Sequence, residues 1–215
     1  MLELQNIHYS YEPEKPILNN VSASFGPGRV YAIVGSSGCG KSTLLSIMGG
    51  LDMPGSGRVL YNGKPLTKKD LPKYRKNQVS FIFQNYNLID YLTAGENLML
   101  VSSLSALPVL EKVGLNSEIA RRSVLKLSGG QQQRVAVARG LISDSSLLLA
   151  DEPTGNLDEE NAHGIFDLLL QYAHGPLQGC VIVVTHSPVL AQKADIILKL
   201  EGGVLMAADS PEINM

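Results

Sequence analysis

The stretch Gly35-Ser36-Ser37-Gly38-Cys39-Gly40-Lys41-Ser42 constrains this chain more than any other. It follows an apolar run, Arg29–Val34, and opens a helix-favouring segment, Lys41–Met48. Strand, glycine-rich turn and helix form the setting in which G-x-x-x-x-G-K-[ST] cradles phosphate. The glycines let the backbone curl so that successive N–H groups converge on an anion, and the helix N-terminus adds partial positive charge. On this reading Lys41 reaches the β- and γ-phosphates, the Ser42 hydroxyl binds Mg²⁺ and Thr43 adds a phosphate contact.

The rest of the chain must supply a sheet for that loop. Val21–Phe25 alternates as a half-buried strand does, and Gly57–Leu60 and Val79–Phe83 read as further strands. Leu147–Ala150 and Val181–Val184 are continuous apolar runs, suited to strands buried on both faces. Helical stretches at Lys41–Met48, Gln131–Ile142 and Glu159–Tyr172 separate them, which predicts an α/β fold with a parallel sheet. Ile196–Leu200 and Val204–Ala207, joined at Gly202-Gly203, read as a hairpin. From about Tyr86 to Lys126 no good strand appears, and Asn97–Leu110 and Val109–Val113 read as helical with Pro108 interrupting. An inserted helical subdomain is the expectation there.

Composition narrows the function classes. With 44% hydrophobic and 18% charged residues among 215, the chain folds and does not stay disordered. A net charge of −2 excludes an overall basic nucleic-acid binder. Two cysteines, Cys39 and Cys180, make no disulfide framework and point to the reducing cytosol. The N-terminal residues carry no basic stretch followed by an apolar one, so no secretory signal is read. Asn97–Leu110 is too short to span a bilayer, which takes about 20 residues. Lys64–Lys76 holds five lysines and Arg75 against the single acid Asp70, either a solvated surface or a face toward anionic lipid headgroups.

Two further elements carry chemistry. Asp151-Glu152 ends the Leu147–Ala150 run, at the strand end where α/β proteins bind ligands. Asp151 is read as holding Mg²⁺, directly or through water, and Glu152 as accepting a proton from an attacking water. Leu127-Ser128-Gly129-Gly130-Gln131 is a second glycine-rich loop at a helix start, with Ser128 as N-cap. It is a second potential anion site. One nucleotide needs one phosphate loop, so two suggest a nucleotide shared between surfaces.

With these motifs in this order, the chain resembles the ATP-binding subunits of ABC transporters, whose signature is LSGGQ, over essentially its whole length. The resemblance implies an ABC ATPase fold: a P-loop NTPase core with a mixed sheet, an N-terminal antiparallel β part and an inserted helical subdomain. It divides residues 1–215 into a core of 1–85 and 140–215 and a helical part of about 86–139. It implies that Tyr11 stacks on adenine and that Gln84 senses Mg²⁺ and a membrane partner. Asp158 belongs to the loop that crosses to a partner subunit, and His186 contacts the γ-phosphate. ATP and Mg²⁺ are the implied cofactors. The catalytic set is Glu152, His186 and Gln84, and the metal set Ser42, Gln84 and Asp151. Gly35–Thr43 with Tyr11 binds nucleotide from one copy, and Ser128, Gly129, Gly130, Gln131 and Asp158 approach it from a second, head to tail.

Ala150–Asp158 and Leu92–Asn97 look like the macrolide-export and lipoprotein-release branch. Ser128 follows Gln84 by only 44 positions, so the helical part is read as trimmed. The implied role is ATP-driven export or mechanotransmission through a separate integral membrane permease, at the cytoplasmic face of the membrane and without nucleic acid. The alternative is a nucleotide-gated scaffold that regulates a membrane or cell-wall partner. A non-transport ABC ATPase would carry two cassettes or a long coiled-coil insertion, and a P-loop kinase leaves the signature helix unexplained. Cys39, inside the phosphate loop at a helix N-terminus, is expected to be a reactive thiolate shielded by ATP, and Cys180 to react slowly.

Overall fold

The computed structural model describes residues 1–12 and 14–208. Two antiparallel strands open the chain, β1 (Leu2–Glu12) and β2 (Lys15–Phe25), and β3 (Arg29–Val34) leads through the glycine loop into α1 (Lys41–Met48). Next come β4 (Ser56–Tyr61), β5 (Lys64–Pro65), α2 (Leu71–Asn77) and β6 (Val79–Ile82). The middle holds α3 (Ala94–Met99), α4 (Leu107–Lys112), α5 (Ser117–Ala120), a 3₁₀ turn at Val124–Lys126 and α6 (Gly129–Leu141). The last described part is β7 (Leu147–Asp151), α7 (Glu159–His174), β8 (Cys180–Val184), α8 (Pro188–Ala191) and the hairpin β9 (Ile196–Glu201) and β10 (Val204–Ala207).

A six-stranded sheet runs β10-β9-β3-β8-β7-β6, parallel except where β10 folds back on β9. A second, antiparallel sheet runs β2-β1-β4-β5. The mixed architecture and the antiparallel N-terminal part match the expected fold. Side chains of successive strand residues leave on opposite faces, and the central strands use both. Tyr31, Ile33, Leu147, Leu149, Ile182 and Val184 join a core with Leu4, Ile7 and Phe25 of the antiparallel sheet and Leu44 and Met48 of α1. Val30, Leu148, Ala150, Val181 and Val183 join another with α6, α7 and the buried Leu98 and Leu110 of the helical middle. Each fully buried aliphatic side chain contributes on the order of 1.5–3 kcal/mol, which is why these strands tolerate no polar alternation.

The structure departs from the expectations at four places. β1 is not legible as a strand because a register irregularity between Leu4 and Ile7, with Asn6 at φ 51°, breaks its period of two. α2 is short and basic, yet Leu71 and Tyr74, three apart, bury its inner side. Asn97–Leu110 is not one helix: α3 ends at Met99, and Pro108 sits in the first turn of α4, just after Leu107, where no intrahelical N–H is needed, so it helps open a helix and does not interrupt one. α6 starts at Gly129, two residues before the Gln131 expected from its helical stretch but directly after Ser128, the expected N-cap, because Ser128 and Gln131 form a capping box.

Two glycines give opposed expectations. A Cβ on Gly49, just past α1, would lie 1.9 Å from Cζ of Phe81, whose ring stacks on Phe83 at 5.0 Å. Gly49→Ala is therefore expected to destabilise by about 1–3 kcal/mol. Gly164, exposed in α7, has nothing within 4 Å of such a Cβ, and Gly164→Ala is expected to stabilise by about 0.5–1 kcal/mol. Urea denaturation of the two variants checks both signs.

Candidate functional site

Parallel pairing sets the strand ends level. Ile33 and Asp151 both pair with Val184, and Ile82 pairs with Ala150. The segments that follow β3, β6, β7 and β8 therefore emerge at one edge. They surround a cleft of about 280 Å³ lined by Ser37, Gly38, Gly40, Lys41, Ser42 and Thr43 of the loop, Gln84, Asp151, Glu152, His186 and Tyr11. Ile17 and Val184 complete the lining.

The loop is shaped around Lys41, which is 6% exposed. Its ammonium donates to the carbonyls of Gly35 at 2.9 Å and Ser36 at 2.8 Å. Among the described residues no carboxylate forms an ion pair with it. A buried cation held only by dipoles is costly, so the cleft suits an anion. Gly40 adopts φ 103°, open only to glycine at low cost, and the Ile17 Cγ2 would stand 2.7 Å from any Cβ there. Ser42 and Asp151 bring a hydroxyl and a carboxylate to the same cleft. No group of three or more His, Cys, Asp or Glu among the described residues is placed to hold a metal. That sparse donor set fits Mg²⁺, which is commonly bound by one or two carboxylates with substrate phosphates and water.

Glu152 sits at φ 48°, a left-handed conformation that non-glycine residues rarely adopt outside constrained sites. Its N–H donates to the Val184 carbonyl at 3.0 Å, tying it to β8. The His186 N–H donates to Glu152 Oε2 at 3.3 Å. Oε1 lies 3.4 Å from His186 Nε2, near enough for charge interaction, yet it is buried without a hydrogen-bond partner. Burial raises the Glu152 pKa above the ordinary carboxylate value, partly opposed by His186 and Lys41. Glu152 lines the cleft, and a carboxylate there with raised proton affinity can take a proton from water.

Tyr11 is 67% exposed, its hydroxyl 3.2 Å from Thr43 Oγ1. Tyr9 meets its ring edge-on at 5.1 Å, and the Tyr9 hydroxyl donates to Asp52. That bond, with burial, pushes the Tyr9 pKa up to about 12. The open ring of Tyr11 thus stands at the cleft mouth on a braced support.

The second glycine loop lies elsewhere. Ser128 Oγ accepts from the Gln131 N–H at 3.3 Å, and Gln131 Oε1 accepts from the Ser128 N–H at 3.0 Å. Gly129 lies against the Tyr86 hydroxyl and Gly130 against Asn156 and Leu157. Asp158 caps α7, accepting from the Asn161 N–H at 2.9 Å and its side-chain amide at 2.7 Å, which holds its carboxyl below the usual range. None of Ser128, Gly129, Gly130, Gln131 or Asp158 lines the cleft. Within one chain, the structure gathers Tyr11, Ser37, Gly38, Gly40, Lys41, Ser42, Thr43, Gln84, Asp151, Glu152 and His186 around the cleft, and leaves the Ser128–Gln131 loop and Asp158 outside.

Cys39 departs from expectation: its half-buried side chain packs on the core beneath the loop, with Sγ 3.9 Å from Lys41 Nζ, and is not part of the cleft wall. Cys180 is buried, which pushes its thiol up to about 12. Ile17 lines the cleft although an apolar strand residue carries no sign in the sequence of doing so. Arg139 is equally silent in the sequence. Its guanidinium donates to the Tyr86 carbonyl at 2.7 Å and that of Asn87 at 2.6 Å, fastening the segment after Gln84 to α6.

The model of the family described as ABC transporter matches residues 18–155. An uncharacterized ABC transporter ATP-binding protein, YclH of Bacillus subtilis, is 42% identical over 94% of both chains. The lipoprotein-releasing system ATP-binding protein LolD 2 of Chlorobaculum tepidum is 35% identical over 96% of this chain and 92% of its own. The dimeric structure of MJ0796, a bacterial ABC transporter cassette, superposes with a TM-score of 0.87 at 36% identity, covering 95% of this chain and 96% of that one. A dimeric post-hydrolysis state of the same cassette, bound to ADP and Pi, superposes at 0.86 with 35% identity over the same shares.

The environment of Glu152 gives a pH-dependent expectation. Since folding raises its pKa, the folded chain binds that proton more tightly than the unfolded chain. Stability is intact below the ordinary carboxylate pKa and falls as pH rises through the raised one. Glu152→Gln does not ionise, so without nucleotide its Tm is expected to exceed that of the parent at about pH 7.5. The gap should close towards about pH 4, as thermal melts across that range will report.

Proposed function

Because this chain belongs to the ABC transporter family as an ATP-binding, ATP-hydrolysing subunit, we propose that it works as a head-to-tail pair. In that pair the Ser128–Gln131 loop of each copy closes on ATP held by the Gly35–Thr43 loop of the other. The observation that carries this is the separation within one chain of two glycine loops at helix starts, one lining the cleft and the other outside it. Each chain holds half of two sites, and a second copy supplies the missing half. The dimeric cassettes that this chain resembles support the reading.

In the closed pair, Tyr11 stacks on the adenine and the loop N–H groups and Lys41 neutralise the phosphates. Ser42 and Asp151, with Gln84 beside them, would hold Mg²⁺, which when bound offsets phosphate charge. Glu152 takes a proton from a water that attacks the γ-phosphorus. The bond from that phosphorus to the bridging oxygen breaks, leaving ADP and phosphate, and the two negative products weaken the interface. His186 contacts the γ-phosphate and Asp158 lies in the segment facing the partner. Gln84 and the Tyr86–Asn87 carbonyls held by Arg139 link that chemistry to α6.

We further propose that the pair drives export through a separate integral membrane subunit, at the cytoplasmic face of the membrane. No described helix is long and apolar enough to cross a bilayer. The helical part, about 86–139, is the proposed coupling surface. It exposes Tyr91, Met99, Leu100, Val101 and Leu104, which suits docking of another protein. The relative named for lipoprotein release supports an export role. Co-purification separates this from the scaffold reading: a multi-span permease supports export, and a regulator of cell-wall hydrolysis supports the scaffold.

Gel filtration tests the pair. Glu152→Gln with ATP and Na⁺ but no Mg²⁺ is expected to elute as a dimer at millimolar ATP and as a monomer without it; persistence as a monomer would count against the shared site. Ser128→Arg is expected to abolish ATPase turnover while each monomer still binds one ATP, whereas Lys41→Ala loses the binding itself. Ser128→Ala controls for the lost helix cap, which costs about 1 kcal/mol. Equal loss of ATP binding in Ser128→Arg and Lys41→Ala would place both loops in one pocket.

A further inference from the structure

Charge on this chain is segregated. Lys64–Lys76 contains six bases and one acid, a balance of +5 in a chain whose total is −2, so all other residues together carry −7. The structure sorts those six bases. Arg75 turns inward and donates to the Gly50 carbonyl at 2.6 Å, closing the end of α1. Lys64, Lys68, Lys69, Lys73 and Lys76 are all exposed, and among the described residues none makes an ion pair. The one acid, Asp70, is occupied: its carboxylate accepts from the Thr67 N–H at 3.0 Å and hydroxyl at 2.6 Å. The five ammonium groups follow one another along an edge strand, a turn and a helix. Lys64 is on β5, the outermost strand of the antiparallel sheet. Lys68 and Lys69 occupy the turn, and Lys73 and Lys76 share the side of α2 opposite the buried Leu71 and Tyr74. A single edge-strand lysine is accounted for by protection against strand pairing. Five without acidic partners are not.

We propose that this strand–turn–helix face is a docking surface for an anionic membrane, set against lipid headgroups while the subunit is held by its membrane partner. The proposal rests on the transporter reading above and goes beyond it, since it adds a direct protein–lipid contact. The chemistry favours headgroups over nucleic acid. The only aromatic in the stretch, Tyr74, is buried with its hydroxyl on the Met48 carbonyl at 2.8 Å, so no ring is available for stacking on bases. The only planar, bidentate cation, Arg75, is committed inside the fold. What remains is a set of flexible point charges, which reads charge density and not shape. Each lysine near an anionic leaflet strengthens binding roughly fivefold, the equivalent of about 1 kcal/mol, and salt screens the effect.

The test is sedimentation of the full chain with vesicles of phosphatidylcholine containing about 30% phosphatidylglycerol, beside pure phosphatidylcholine, at low and near-physiological salt. Binding to the anionic vesicles alone, weakened by salt, is expected. Lys68→Gln/Lys69→Gln/Lys73→Gln should weaken it on the order of a hundredfold, while the triple Lys→Arg variant retains it. Lys112→Gln/Lys126→Gln, which removes two exposed bases outside the face, should change it little. ATPase activity and Tm of the two triple variants should equal the parent's, because Lys68, Lys69 and Lys73 lie outside the cleft. Vesicle binding unchanged by the triple Lys→Gln variant, or lowered as much by Lys112→Gln/Lys126→Gln, would overturn the proposal. So would a face that binds a single-stranded oligonucleotide and no vesicle. A parent that binds vesicles as described but never hydrolyses ATP would leave the lipid face standing and sink the transporter reading.

Discussion

Everything at the site depends on the hydrogen-bonded register of β3, β8, β7 and β6. Ile33 and Asp151 share Val184 as a neighbour, and Ala150 pairs with Ile82. Because of that alignment the phosphate loop, the two acids, His186 and Gln84 leave the sheet at the same level. A strand slipped by one residue would turn its side chains to the wrong face and empty two cores at once. The register is strongly enforced because β3, β7 and β8 are buried on both faces. One face meets the antiparallel sheet and α1, the other the helices.

On that frame the cleft holds groups in states that cost free energy without a ligand. Lys41 is a buried cation resting on carbonyls. Glu152 is a partly desolvated carboxylate in a left-handed backbone conformation, with one oxygen unpartnered. The surrounding structure over-determines both: β8 grips the Glu152 N–H, and the loop closes over the Lys41 ammonium. Such strain is stored where chemistry happens. In the proposed function, a triphosphate and an attacking water are the partners that these groups take.

The second glycine loop follows a different logic. Its helix, α6, begins in a capping box and is buried along Val135, Ala136, Val137 and Ala138. That burial makes it a rigid bar, and Arg139 fastens it to the Tyr86–Asn87 carbonyls just past Gln84. A displacement at Gln84 therefore has a short, hydrogen-bonded route to the helix that presents Ser128–Gln131. This gives the proposed coupling between cleft, helical part and partner copy a physical path.

Local chemistry was readable from the chain alone wherever its parts are contiguous. The phosphate loop, the acidic strand end and the capped signature helix are each built from neighbours in sequence. Apolar runs, glycines and cap residues there act over a few positions. The buried strands and the terminal hairpin were legible for the same reason. Tertiary structure decided what depends on distant segments meeting. β1 was hidden by its irregularity at Asn6, though it delivers Tyr11 to the cleft. Ile17 became a cleft wall and Cys39 packing beneath the loop only through the second sheet. Arg75 left the basic face because Gly50, 25 residues earlier, presents a carbonyl to it. Ser128 lies outside the cleft that Lys41 lines because α6 packs with the helical middle and one face of the central strands, a meeting of distant segments that no local pattern along the chain encodes.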